Sequence, residues 1–155
     1  MDDPYDLQRF VDAQDFADIY LEAVHELRQG EKRSHWMWFV FPQVTGLGHS
    51  PTAQRFAISG RPEAVAYLEH PVLGRRLREC AEALTGLAGT DPVQVFGPVD
   101  AQKLKSSMTL FGLVAPDERV FSAVLDQYFA GEIDEATTSR IGPPPGSGVV
   151  SDPRC

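Results

Sequence analysis

Two cysteines in 155 residues, Cys80 inside a helical pattern and Cys155 at the last position, offer no disulfide framework and no thiolate cluster. The four histidines, His25, His35, His49 and His70, are scattered without ligand spacing, so no bound metal is expected. No apolar run approaches the roughly 20 residues that span a bilayer; the longest, Trp36 to Phe41, has six. The sequence has no G-x-S-x-G elbow, no P-loop lysine and no third glycine of a dinucleotide fingerprint. Basic side chains are the minority, 14 against 22 acidic, and the formal charge of −8 repels a polyanion, which speaks against broad nucleic-acid binding. The opening Met1-Asp2-Asp3-Pro4 is acidic where an export signal would be basic. These absences predict a cytoplasmic protein with no membrane segment and no cofactor.

What is present is helical periodicity. From Asp15, Phe16, Ile19, Tyr20, Ala23, Val24 and Leu27 recur at helical spacing, with Asp15 as N-cap and Gly30 as the stop; Leu7, Phe10 and Val11 suggest a short helix before it. Ser34 to Pro42 is apolar on every side, and with no second strand-like run to pair with, it reads as a buried helical turn capped by Ser34 and ended by Pro42. A loop, Gln43 to His49, follows. Ser50-Pro51, Arg61-Pro62 and Asp91-Pro92 each place proline where a helix opens. Leu73, Leu77, Cys80, Ala81 and Leu84 form one helical stripe, and Asp100 to Leu113, Asp117 to Ala130 and Asp134 to Ile141 complete the pattern. The expectation is all-α: a compact single-domain bundle of about seven short-to-medium helices over residues 1–141, then a flexible Pro/Gly-rich tail over 142–155. Phe121, Val124, Leu125 and Tyr128 should be buried against Leu73, Leu77 and Leu84.

Three constellations carry chemistry. Steps of about 100° put Asp100, Lys103 and Ser107 within an arc of about 60° at the edge of the stripe Leu104, Met108 and Phe111, with Ser106 and Thr109 close by. Such a lysine, with hydroxyls around it, can bind an anion or polarise an oxygen. The plainer alternative is an intrahelical Asp100–Lys103 pair with solvated serines. Lys32, Arg33 and His35 place cations beside Trp36 and Trp38, a combination that can stack a ring and hold a phosphate, although core packing accounts for tryptophans equally well. Gly46-Leu47-Gly48-His49-Ser50 runs into a helix N-terminus, either as an anion cradle or as a loop with a capping serine.

The residues carrying these features also form a recognisable set. Lys32-Arg33-Ser34-His35-Trp36-Met37-Trp38-Phe39-Val40-Phe41-Pro42-Gln43, the Gly46 to Ser50 loop, Tyr67-Leu68-Glu69-His70-Pro71-Val72-Leu73-Gly74, and Asp100 with Lys103-Leu104 and Ser106 to Phe111 resemble Domain of Unknown Function 1810. The resemblance spans Leu7 to Ile141 and implies a bacterial, chiefly helical single domain of unassigned activity. Members are sometimes labelled calpastatin, a disordered repeat protein whose composition differs from this chain's, so the label does not carry over. If the three segments meet, they form an aromatic-walled, cationic cleft suited to a phosphorylated small molecule, such as a nucleotide or an ADP-ribose-like ligand or adduct, which is bound or hydrolysed. The catalytic candidates are His35, Asp100 and Lys103. The ligand-binding candidates are Lys32, Arg33, Trp36, Trp38, Gln43, Gly46, Gly48, Ser50, Ser106, Ser107 and Thr109. The alternative is a non-catalytic helical module that binds a protein or ligand; no protein partner is legible.

Overall fold

The first helix, α1 (Gln8–Asp15), is capped from upstream: the Asp3 carboxylate accepts the N–H groups of Leu7 and Gln8 at 2.7 and 2.9 Å. Those two donors hold its carboxyl below the usual carboxylate range. The computed structural model describes residues 3–142, so the expected tail from 143 onward, with Cys155, lies outside the described residues.

The single helix expected from Asp15 to Leu27 is in fact interrupted. α1 ends at Asp15, a 3₁₀ turn covers Phe16–Asp18, and α2 (Ile19–Gln29) begins afresh. Ala17 and Asp18 both adopt the left-handed region, with φ of 52° and 56°, and break the 100° register. Asp15 therefore ends a helix instead of capping one, and Phe16 is 77% exposed, while Tyr20, Ala23 and Leu27 keep their places in the core. At the far end the prediction holds: Gly30 closes α2 with φ 77°.

α3 (Met37–Val40) is the predicted buried turn, ending before Pro42, but Ser34 does not cap it. Ser50 does cap α4 (Pro51–Arg55), accepting the Ala53 N–H at 3.1 Å. The loop between them is tied at Val44 and Ile58 by an isolated parallel bridge. α5 (Arg61–Glu69) and α6 (Leu73–Thr85) meet at a corner that explains His70-Pro71-Val72-Leu73-Gly74: His70 Nδ1 accepts the N–H groups of Val72 and Leu73, and a Cβ on Gly74 would run into the Leu68 carbonyl. α7 (Pro92–Val114) is bent where Gly97, at φ 81°, precedes Pro98, so it comprises the two helices expected around Pro92 and Asp100. Asp91 caps its start through the Val93 N–H.

The core lies where α8 (Arg119–Phe129) packs against α6 and α7, with α5 and α2 also on α6. Phe121, Val124, Leu125 and Tyr128 are buried, as are Leu73, Leu77 and Leu84, and the Tyr128 hydroxyl donates to the Leu84 carbonyl at 2.7 Å. α9 (Glu135–Ile141), capped by Asp134, packs on α7. Among the described residues the architecture is all-helical, and no helix is long and apolar enough to cross a membrane.

Candidate functional site

Residues 30–36 link α2 to α3, and a buried carboxylate orders them. Glu26 on α2 is 1% exposed. It accepts the backbone N–H groups of Arg33 and Ser34 at 2.8 and 3.0 Å, the Ser34 hydroxyl at 2.6 Å and the Trp36 indole N–H at 3.0 Å. Burial alone would push the Glu26 carboxyl up, but the four donors outweigh it and hold the group at about 2. Trp36 is fully buried against Phe41 and Phe96. Its ring is a wall of the core and presents no face to a ligand in solution.

Lys32 is turned inward by the same linker. Its N–H donates to the Val95 carbonyl on the first arm of α7, and its Nζ lies 2.9 Å from Asp100 Oδ2 and 5.0 Å from the Trp36 ring centre. The other Asp100 oxygen, Oδ1, pairs with Lys103 Nζ at 3.3 Å, and that ammonium stands 4.7 Å over the Trp38 ring. One carboxylate thus bridges two ammonium groups, each covered by an indole. The Lys32 side chain is only 7% exposed, so Asp100 is its counter-charge in a poorly solvated place. The anticipated i,i+3 pair exists, with a third member 68 positions upstream of Asp100 in the chain.

The glycine loop approaches the other side of Trp38. Trp38, Gln43, Gly46 and Gly48 enclose about 10 Å³, room for roughly one water molecule. Gly46 has φ 95°, and the Arg140 guanidinium from α9 lies where its Cβ would be. The three predicted segments therefore meet around Trp38, where the described residues pack closely and leave a space of about 10 Å³. Two of the hydroxyls on α7, those of Ser106 and Thr109, are committed to the fold. Ser106 donates to Asp134 Oδ2 at 3.0 Å, and Thr109 accepts the Asp134 N–H at 2.9 Å, fixing the start of α9. Ser107 is fully buried, and its hydroxyl has no partner among the described residues. Ser50 is occupied as the α4 cap and the Arg33 guanidinium lies beside Glu31 at 3.3 Å.

An open cleft lies on the outer side of α3. A cleft of about 510 Å³ is lined by Phe16, Ile19, Phe39 and Phe56, with His35, Arg55 and Asp12 as its charged or titratable members. Of the three catalytic candidates, only His35 lines it; Asp100 and Lys103 belong to the paired cluster beside Trp38. Phe16, Phe39, Arg55 and Asp12 were absent from the sequence-based site. Phe16 was assigned to a core stripe, and Arg55 belongs to a five-residue helix with no pattern of its own. Glu26 was missed too, although an acid beside Ala23 and Leu27 on an apolar stripe is a legible anomaly.

The chain matches the model of a family described as protein of unknown function (DUF1810) over residues 4–141. It is also similar to a solved structure, the crystal structure of the conserved hypothetical protein Rv1873 from Mycobacterium tuberculosis. The identity is 49%, over 90% of this chain and 98% of that one, with a TM-score of 0.86. Comparison with curated proteins finds no match.

Proposed function

The chain belongs to the DUF1810 family of proteins of unknown function, and we propose that it binds a phosphorylated, nucleotide-like small molecule in the cleft lined by Phe16, Phe39, His35 and Arg55. The observation that carries this is the cleft itself. Its volume of about 510 Å³ fits a ligand-sized molecule, and its walls are mainly apolar and aromatic with a few polar groups at the edge. Phe39 supplies a ring face for a base to stack on. Arg55 offers a planar fork for phosphate, and His35 adds a second donor or acceptor. Asp12 suits a ribose hydroxyl or an exocyclic amine. Hydrolysis draws less support, because Asp100 is shared between Lys32 and Lys103 and neither Asp100 nor Lys103 lines this cleft.

A thermal-shift panel of AMP, ADP, ADP-ribose and ribose 5-phosphate tests this reading, since a ligand of the native state raises the melting temperature by mass action. ADP or ADP-ribose should raise the melting temperature of the wild type and do so less for Phe39→Ala. No shift with any of the four compounds would refute the reading.

A further inference from the structure

We infer that a second copy of this chain docks on the same face, each copy's Phe16 entering the other's cleft around a twofold axis. The 3₁₀ turn presents an apolar knob: Phe16 is 77% exposed, and Leu21, at the start of α2, is 65% exposed. These are two of the five large apolar side chains left in solvent among the described residues, and they lie within one short stretch. The turn holds its shape at a cost. Ala17 and Asp18 are consecutive non-glycine residues in the left-handed region, which L side chains adopt at a cost. Strain and exposure together are unfavourable in an isolated molecule and are offset if the knob is covered.

The hole lies directly beside the knob, because Phe16 itself borders the cleft with Ile19, Phe39 and Phe56. Knob and hole on one face are the requirement for a closed twofold pair, in which each patch meets its own copy. Charge selects the partner. The cleft carries both signs, Asp12 from α1 and Arg55 from α4. A twofold rotation brings Asp12 of one copy against Arg55 of the other. The formal charge of −8 repels two copies as a whole, so the association expected is weak and rests on this local match. It does not depend on nucleotide binding, but the two share walls and exclude each other.

Sedimentation equilibrium of the full chain without ligand, from about 10 to 500 μM, tests the inference. A monomer–dimer equilibrium is expected. Phe16→Glu, at an exposed position that leaves the core intact, should raise its dissociation constant at least tenfold at unchanged helical circular dichroism. Asp12→Arg should weaken the dimer, and adding Arg55→Asp on the same chain should restore it. A wild type that stays monomeric throughout, or a Phe16→Glu protein that dimerises like the wild type, would overturn the proposal. A monomeric wild type would leave the nucleotide reading, tested separately by thermal shift, standing.

Discussion

Residues 32–41 present two different chemistries from one stretch of chain. Its inner side is polar and internally paired: Ser34 and Trp36 close on Glu26, Lys32 pairs with Asp100, and Lys103 stands over the half-buried Trp38. Its outer side is largely apolar and open, with His35 and Phe39 facing a cleft of about 510 Å³. Of the cations beside the tryptophans, Lys32 is paired within the fold, whereas His35 lines the cleft. A polar group already matched to buried partners stabilises a structure; an accessible aromatic with few polar neighbours is what a ligand can use.

The two sides should respond differently to substitution. Glu26→Ala, the most damaging change, leaves the Trp36 indole, the Ser34 hydroxyl and two N–H groups without their acceptor, and should cost about 3–5 kcal/mol in urea unfolding. Acid should reveal the same bond set. The Glu26 carboxyl is held at about 2, below its ordinary 4.5. Its contribution is therefore fully present above about pH 4.5 and is lost as the pH falls towards 2, a change of roughly 3 kcal/mol. Between pH 7 and pH 2 the wild type should lose that much more stability than Glu26→Gln, and parallel losses would show that the carboxylate is not held by its donors. Asp100→Ala, which strands the nearly buried Lys32, should cost about 1–3 kcal/mol, and Lys103→Ala less than about 1 kcal/mol, because Lys32 still pairs Asp100. On the outer side, His35→Ala should stay within about 0.5 kcal/mol of the wild type. A large loss there would remove the distinction between the faces.

Much of the bundle was legible because helix caps and apolar stripes are local signals. Ser50-Pro51, Asp91-Pro92 and Gly30 marked helix ends correctly, and the stripes of α6 and α8 located the core. The break at Ala17 and Asp18 was hidden, since neither residue is a glycine and the apolar spacing runs straight through it. The site was harder to read for a physical reason. Whether a lysine is available depends on partners distant in sequence: Asp100 showed its neighbour Lys103 but not Lys32. Trp36 and Trp38 are alike in sequence, and only the partner of each separates a buried wall from a half-buried one. Ser106 and Thr109 resembled ligand donors until Asp134 arrived from α9.

We place ligand chemistry in the outer cleft and not in the Asp100–Lys103 cluster. Calorimetric titration of ADP into the wild type, Arg55→Ala and Lys103→Ala tests it most directly. Arg55→Ala should weaken binding by about 1.5–3 kcal/mol, the scale of a charge-assisted hydrogen bond, while Lys103→Ala binds like the wild type. The reverse pattern, full affinity in Arg55→Ala and a loss of that size in Lys103→Ala, would rule out the outer cleft and place the site at Trp38.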